Sequence, residues 1–256
     1  MTIYEAVYNR RSVRKYKMEL IPSEFFKQMN KFLEGLTPLY PNIGWKFVLF
    51  NARDDEGSTK GFFRVRAPYY LVCYTTEDKN AWKQAGYLTE QVVLYLTAHG
   101  IATCYQGGAR AVVEDAPEGM DQRIVVAFGY AEGQLYREPG SVRRLPIKET
   151  CIFKEDPTPE QSMLLAAARL APSSVNSQPW RFVVYKNRIH IFARENVLSK
   201  VHITREMRDV DMGIVLSHFA LAAEEMWLDA NLVYQEQLAG RSVRGNTYVM
   251  SLMFQS

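Results

Sequence analysis

A short segment between two prolines places hydroxyl, amide and main-chain donors side by side. Residues 171–180 read Ala-Pro-Ser-Ser-Val-Asn-Ser-Gln-Pro-Trp. Pro172 and Pro179 interrupt regular structure on both sides. The apolar flanks would hold the segment rigidly, which suits a flat, polar ligand. An ordinary Ser/Asn/Pro loop has the same composition, so these residue types alone leave both interpretations open.

A second group with chemical potential is the basic cluster near the start of the chain. Arg10, Arg11, Ser12 and Arg14 follow one another closely. A guanidinium fork beside a hydroxyl suits a phosphate group. The same pattern also fits a solvated helix end.

Helices and strands must position these two groups. Residues 2–9 form a predicted amphipathic helix before the basic cluster, residues 163–170 a helical run before the proline-flanked segment, and residues 181–185 a strand after it. The other predicted elements are helices at 23–35, 84–102 and 211–228 and strands at 46–50, 67–74, 123–130 and 247–254. We expect an α+β protein.

The order of these elements occurs twice. Residues 36–38, Leu-Thr-Pro, correspond to residues 170–172, Leu-Ala-Pro, and the strand at 45–50 corresponds to the strand at 180–185. Gly86 and Gly213 occupy similar places in the two long helices. The pattern predicts a diverged internal duplication with halves 1–150 and 151–256, and a chance similarity of two α+β units is the alternative.

Composition excludes several classes of function. The chain has 256 residues, 47% hydrophobic and 23% charged, which indicates a soluble globular protein. A net charge of +3 from scattered basic residues argues against a nucleic-acid partner. Three widely spaced cysteines give neither a disulfide framework nor a zinc site, and no apolar run is long enough for a membrane span. We expect a cytoplasmic protein without a metal.

Both groups resemble motifs of one family. Residues 171–180 are similar to the APSSxNSQPW signature of the FMN-dependent nitroreductases, and residues 8–16 resemble the family's RRSxRxY/F segment. Family members are homodimers in which one subunit supplies the first motif and the other the second. The resemblance implies a nitroreductase-like fold in a single-chain pseudo-dimer. One complete FMN site would join the two ends of the chain, the other site would have decayed, and the chain could act as a monomer.

The resemblance also implies roles for individual residues. Arg10 and Ser12 would bind the FMN phosphate, Arg11 would join them or form a surface ion pair, and Arg14 would lie near N1 and O2 of the flavin. Arg144, or else Arg143, would reach the phosphate from the opposite side. Gly107 or Gly108 would offer a main-chain N–H to flavin N5, and Lys60, in a predicted loop at residues 54–60, is a candidate for the ring edge. The remaining expected cofactor contacts are Pro172, Ser173, Ser174, Asn176 and Gln178.

The implied activity is hydride transfer from NAD(P)H through FMN to a nitroaromatic, quinone or similar small-molecule acceptor, by a ping-pong mechanism. We find no GxGxxG segment after a strand, so no separate nicotinamide-binding domain is expected. We expect the cofactor to carry the chemistry, and we name no side chain as catalytic. The alternative is a non-catalytic FMN-binding carrier or sensor.

Overall fold

Two capping boxes begin the helices that precede the candidate residues. The Thr2 hydroxyl accepts the main-chain N–H of Glu5, whose carboxylate accepts the N–H of Thr2, and the helix Ile3–Asn9 starts there. Thr158 and Gln161 make the same reciprocal pair at the start of the helix Pro159–Arg169. Each box satisfies N–H groups that have no partner inside a helix. The basic cluster and the proline-flanked segment therefore follow helices with defined starts.

The chain is divided into two units, Met1–Ser141 and Val142–Ser256. The computed structural model describes residues 1–54, 57–62, 64–138, 140–195, 202–243 and 245–255. The division falls before residue 150, the boundary expected from the sequence. Leu145 already belongs to the second unit, since its N–H donates to Gln178 Oε1 over 2.8 Å.

The first unit is a four-stranded antiparallel sheet with helices and a separate two-stranded ribbon. Its elements are α1 (Ile3–Asn9), α2 (Ser23–Glu34), β1 (Trp45–Asn51), β2 (Gly57–Gly61), β3 (Tyr69–Thr75), α3 (Ala81–Ala98), β4 (Ala102–Tyr105), β5 (Ala109–Val113) and β6 (Asp121–Gly129). The sheet order is β1-β3-β6-β4, and β2 pairs with β5. Leu88, Val92 and Leu96 of α3 are completely buried, at the helical spacing expected for a core-facing stripe.

The second unit is a larger sheet covered by two helices. Its elements are α4 (Ile147–Thr150), β7 (Cys151–Phe153), α5 (Pro159–Arg169), β8 (Trp180–Tyr185), β9 (Arg188–Arg194), α6 (His202–Glu225), β10 (Ala230–Val233), β11 (Ser242–Val243) and β12 (Asn246–Phe254). The strand order is β10-β12-β9-β8-β7, with β11 paired to β12. β7 runs parallel to β8 and the other pairs are antiparallel.

The two units repeat one strand order. The order β1-β3-β6-β4 of the first corresponds to β8-β9-β12-β10 of the second. In each unit a long helix follows the second of these strands, and the edge strand β4 or β10 follows that helix directly. The connections therefore agree as well as the order.

A β-bulge occurs at the equivalent place in each sheet. Between β3 and β6 the register shifts so that Arg123 is the extra residue, and between β9 and β12 the extra residue is Val249. In both cases the bulge lies near the start of the last long strand. Bulges are retained within families because they set the local twist of a sheet.

Several predicted boundaries are wrong. The helix predicted at 84–102 is α3, which ends at Ala98 because Gly100 takes φ +80° and a strand follows. Residues 57–60, predicted as part of a loop, belong to β2. The helix predicted at 211–228 is α6, which begins at His202 and ends at Glu225. Trp227, beyond that end, is left-handed at φ +53° and 95% exposed.

No helix in the described part of the chain is both long and apolar enough to cross a membrane.

Candidate functional site

The proline-flanked segment is a tight loop with an unusual main chain. Val175, Asn176 and Gln178 have φ values of +46°, +56° and +48°. The left-handed region is unfavourable for residues other than glycine, and most unfavourable for a β-branched one. Val175 is also 97% exposed, so packing of its side chain does not explain its conformation. Strain of this kind is concentrated at ligand-binding and active sites.

A buried carboxyl holds the middle of this loop. Asp211 of α6 accepts the Ser174 N–H at Oδ1 over 2.9 Å and the Ser177 hydroxyl at Oδ2 over 3.1 Å. Burial raises the pKa of Asp211 to about 7, and its hydrogen bonds to the Ser174 N–H and the Ser177 hydroxyl oppose that rise. No sequence pattern indicates this contact, because Asp211 and Ser174 are 37 residues apart.

Arg144 holds the end of α5, the entry of the loop and one amide side chain within the loop. Its Nε donates to the carbonyl of Arg169 over 2.7 Å, and its Nη2 donates to the carbonyls of Leu170 and Ala171. Its Nη1 donates to Asn176 Oδ1 over 3.0 Å. The carbonyls at a helix C-terminus have no hydrogen-bond donors within the helix, and the guanidinium donates to them here. Arg144 thus shapes the loop with the same guanidinium donors that the family resemblance assigns to the FMN phosphate.

The two amide side chains of the loop are also used internally. Asn176 Nδ2 donates to the carbonyl of Arg143 over 3.2 Å. Gln178 is buried, accepts the Leu145 N–H and donates Nε2 to the carbonyl of Asn176. Ser173 Oγ accepts the Gln178 N–H over 3.0 Å. These contacts fix the loop in one shape.

The entry and exit of the loop are buried. Pro172 and Pro179 lie inside the unit, and Trp180 at the start of β8 is completely buried. The indole Nε1 of Trp180 has no hydrogen-bond partner in the described part of the chain. Buried polar atoms without a partner are uncommon and call for a specific reason. Arg143 is exposed on the other side of the loop.

In the first unit the basic cluster is tied to β4. Ser12 forms a parallel bridge with Thr103, and the Val13 N–H donates to the carbonyl of Thr103 over 2.9 Å. Arg10 is only 6% exposed and contacts Ser12 Oγ at 3.4 Å. No carboxylate in the described ranges pairs with Arg10. A buried cation without a counter-charge suits an anionic ligand.

The neighbouring residues take different positions. Arg11 Nη1 donates to Gln134 Oε1 over 2.6 Å. Arg14 is exposed and, with Arg10, acts electrostatically on Cys104. Burial raises the pKa of the Cys104 thiol, and the charges of Arg14 and Arg10 oppose that rise. Cys104 is therefore a packed residue and lies near two of the proposed FMN contacts.

The glycine pair follows β4 directly. Gly107 and Gly108 are exposed and lie in the turn that the Ala109 N–H closes onto the carbonyl of Gln106. The Gly108 carbonyl accepts the Phe62 N–H over 3.2 Å, and a Cβ on Gly61 would lie 2.1 Å from that carbonyl oxygen. This close passage explains why residue 61 is glycine. Lys60, expected in a loop, is an exposed residue of β2.

The first unit carries a counterpart of the Asp211 contact. Gln84 of α3 is completely buried, accepts the Tyr40 N–H over 3.0 Å and donates to the Tyr40 carbonyl. Gln84 stands two residues before Gly86, as Asp211 stands two residues before Gly213. Residues 37–44 contain no left-handed residue. The anchoring contact is repeated in the first unit, but the strained loop shape is not.

A separate cleft of about 130 Å³ lies in the second unit. Its lining includes Cys151, Arg181, Phe192 and Asn246. None of the predicted cofactor contacts lines it. The structure thus brings Arg10 and Ser12 together with β4, and gathers Arg143, Arg144 and the loop residues in the second unit.

Comparison with known proteins identifies the family. Residues 2–223 match the family described as "Putative TM nitroreductase". The crystal structure of a "putative nitroreductase" from Thermotoga maritima MSB8 has a TM-score of 0.65 and 24% sequence identity, over 99% of this chain and 94% of that chain. That likeness shows a common fold. No curated protein matches the chain.

Two further structures are less similar. An "FMN-dependent Nitroreductase" from Clostridium difficile R20291 has a TM-score of 0.43 and 17% identity, over 57% of this chain and 98% of that chain. A "nitroreductase family protein" from Clostridium novyi NT has a TM-score of 0.42 and 13% identity, over 52% of this chain and 86% of that chain. Scores of this size do not establish a shared fold, so the likeness in fold rests on the Thermotoga protein.

Proposed function

The chain belongs to the family described as "Putative TM nitroreductase", and from this premise we propose that it is an FMN-dependent oxidoreductase. We propose that NAD(P)H donates the hydride and that a nitroaromatic, quinone or similar small molecule accepts the electrons in a ping-pong sequence. Bound FMN would supply hydride acceptance and electron transfer. The residues of the chain would bind and orient the cofactor.

The strained loop is the observation that carries the proposal. Three left-handed residues other than glycine stand within four positions, at Val175, Asn176 and Gln178. Asp211 accepts hydrogen bonds from the neighbouring Ser174 and Ser177, and Arg144 donates to Asn176. A loop held in one costly conformation presents its donors without further loss of entropy when a ligand binds. A planar, polar cofactor benefits from this arrangement.

The residues of the first unit fit a phosphate. Arg10 is a buried cation without a carboxylate partner in the described ranges, and it lies against the Ser12 hydroxyl. The hydroxyl of Thr103, which pairs with Ser12, is buried and has no partner in the same ranges. A phosphate accepts several hydrogen bonds and would supply both missing partners.

The proposed roles of the other residues follow from their contacts. We propose that Arg14 lies near N1 and O2 of the flavin. Gly107 or Gly108 would donate a main-chain N–H to N5. In the second unit, Ser173 and Ser174 are proposed to meet the cofactor, with Arg143 the exposed cation. Arg144 acts as a positioning residue, since its guanidinium donates to the carbonyls of Arg169, Leu170 and Ala171.

An internal duplication explains why one chain holds both motifs. The repeated strand order, the two equivalent bulges and the matching contacts of Gln84 and Asp211 support it. Chance similarity of two α+β units explains these shared features poorly, because each of them depends on tertiary structure. We propose that the second unit kept the specialised loop and that the first unit kept the basic cluster.

Reconstitution tests the proposal directly. The purified chain is incubated with FMN, and free FMN is removed. The oxidation of NADH and NADPH is then followed with and without menadione or a nitroaromatic acceptor. We expect acceptor-dependent oxidation with parallel double-reciprocal plots. Bound FMN without oxidation of either donor would instead support the carrier or sensor function, and failure to retain FMN would contradict the proposal as a whole.

Substitutions at the two motifs test the proposed contacts separately. We expect Arg10→Ala to lose a charge-assisted hydrogen bond, about 1.5–3 kcal/mol or roughly ten- to a hundredfold in FMN affinity. Asn176→Ala should cost about 1 kcal/mol. Calorimetric titration with FMN measures both, and FMN should protect both variants from heat less than it protects the parent.

Matched controls separate binding from general damage. Lys17→Ala removes an exposed cation from the same segment, and Asn42→Ala alters the counterpart loop of the first unit. Both should retain the affinity of the parent. If Arg10→Ala or Asn176→Ala also retains full affinity and full protection, that motif does not contact FMN.

A further inference from the structure

The ribbon formed by β2 and β5 places like charges opposite each other. Lys60 pairs directly with Arg110 in the antiparallel ladder, and both side chains are exposed. Directly opposed residues have Cβ atoms about 5 Å apart, and like charges at that distance repel. No carboxylate in the part of the chain that the structure describes forms an ion pair with either of them. The ribbon therefore carries an uncompensated positive charge.

An exposed aromatic ring lies beside this pair. Phe62 is 81% exposed, and its N–H continues the ladder by donating to the Gly108 carbonyl over 3.2 Å. Phe62 is two residues beyond Lys60, at most about 7 Å along the chain, on the other side of the Gly61 turn at the tip of the ribbon. Arg64 adds a third cation along the edge, where its guanidinium donates to the Thr59 carbonyl.

The opposite face of the ribbon anchors it. Ala111 and Val113 pack against a core cluster that includes Phe50 and Tyr70. At the tip, Gly61 passes so close to the Gly108 carbonyl that no Cβ fits between them. The charged pair and the neighbouring aromatic ring are thus presented by a fixed element.

The ribbon also begins at the glycine turn proposed to approach the cofactor. Arg110 is two residues beyond Gly108, about 7 Å along an extended strand. Its long side chain and that of Lys60 extend the reach further. A ligand that reacts near the turn can extend its far end over the ribbon.

We propose that this ribbon face binds the adenosine-phosphate end of the nicotinamide donor and selects NADPH over NADH, an inference that rests on the proposed function. Phe62 stacks on the adenine, since any base offers an aromatic face to a phenyl ring. Lys60 and Arg110 bind the 2′-phosphate, whose negative charge also relieves their mutual repulsion. The two donors differ only in that phosphate, so the charge pair discriminates between them.

The experiment uses a charge variant, an aromatic variant and a control. Lys60→Gln with Arg110→Gln removes the charge pair, Phe62→Leu removes the aromatic face, and Lys31→Gln with Lys46→Gln removes two exposed charges elsewhere in the first unit. Each is titrated with adenosine 2′,5′-bisphosphate and with 5′-AMP in the absence of FMN. The FMN-loaded variants are then assayed with NADPH and NADH.

We expect the charge variant to bind the bisphosphate roughly ten- to a hundredfold more weakly, and its KM to rise for NADPH alone. Phe62→Leu should raise the KM for both donors, because both carry adenine. The control variant should keep the parent's affinity for the bisphosphate and its KM for both donors.

The outcomes separate this inference from the proposed function. Equal use of both donors, unaltered in the charge variant, would overturn the inference while leaving the FMN activity intact. Charge-dependent binding of the bisphosphate by a protein that retains no FMN would support the ribbon and contradict the proposed function. Tighter binding of a twelve-nucleotide single strand than of the bisphosphate, lost in the charge variant, would overturn the inference in favour of a nucleic-acid contact.

Discussion

Asp211 holds the candidate loop from a position almost completely removed from water. Its carboxyl accepts hydrogen bonds from the Ser174 N–H and the Ser177 hydroxyl. Neither donor carries a full charge, so burial dominates and raises the pKa of Asp211 to about 7. The loop is therefore held by a group that titrates near neutral pH.

The substitution Asp211→Asn should change how stability depends on pH. The folded pKa is higher than that of an unfolded aspartate, about 3.9, so the folded state binds more protons between these two values. The stability that Asp211 contributes is complete below about pH 4 and is lost as the pH rises through about 7. Asparagine does not titrate, so the variant should gain on the parent by on the order of 3 kcal/mol over this range.

Urea unfolding from pH 4 to 8 measures this difference. Ser177→Ala is the matched comparison, because it removes a hydrogen bond that lowers the pKa of Asp211. Its loss of stability should extend to higher pH than in the parent. Parallel stability curves for the parent and Asp211→Asn would show that Asp211 does not titrate in this interval.

At the scale of elements, one side chain connects a helix end to the loop. Arg144 donates to the carbonyls of Arg169, Leu170 and Ala171 and to the amide oxygen of Asn176. Helix α5 and the loop therefore share one cap. A substitution of Arg144 therefore affects both the end of α5 and the loop.

Arg144→Lys should destabilise the second unit and weaken FMN binding together. An ammonium group cannot reproduce the planar fork, so several carbonyls lose their partner, at a cost of about 1–3 kcal/mol. Thr158→Ala is the control, since it removes the cap at the other end of α5 at a cost of about 1 kcal/mol and leaves the loop alone. Thermal unfolding and FMN titration of both variants test this. Equal FMN affinities would show that the loop does not depend on Arg144.

The elements differ in how far the sequence predicts them. The starts of α1 and α5 are predictable because Thr2 and Thr158 carry capping boxes. The ribbon strand β2 reads Gly-Ser-Thr-Lys-Gly, which has no apolar alternation, so only the fold reveals it. In β9 the run Arg188-Ile-His-Ile does alternate and would have indicated a strand.

The candidate site shows the same division. The residue types of the loop and of the basic cluster were visible in the sequence. The contacts of Asp211 and Arg144 were not, because each joins residues more than twenty positions apart. The left-handed conformation of Val175 is also unpredictable, since valine disfavours it intrinsically.

The two units have the same strand order, but only the second has the loop with left-handed residues. The left-handed residues at 175, 176 and 178 have no counterpart in residues 37–44. The basic cluster at Arg10–Arg14 likewise has no clear counterpart at the start of the second unit. Each chain thus carries one copy of each motif.

We therefore expect one FMN per chain, bound by a monomer. The flavin released by denaturation is measured against protein mass, and light scattering gives the mass of the loaded protein. Two FMN per chain would contradict the loss of one site. Activity that disappears on dilution together with a dimer would show that a second chain is required.

The tryptophans give the protein an internal optical signal. Trp227 is almost fully exposed beyond the end of α6, whereas Trp180 is completely buried where the loop enters β8. Acrylamide should quench the red-shifted emission of Trp227 first and leave the blue-shifted emission of Trp180. In a variant with Trp45, Trp82 and Trp227 replaced by Phe, Trp180 is the one tryptophan left, so the emission would come from an indole attached to the loop. A chromophore absorbing in the near ultraviolet would dim that emission by energy transfer as it bound.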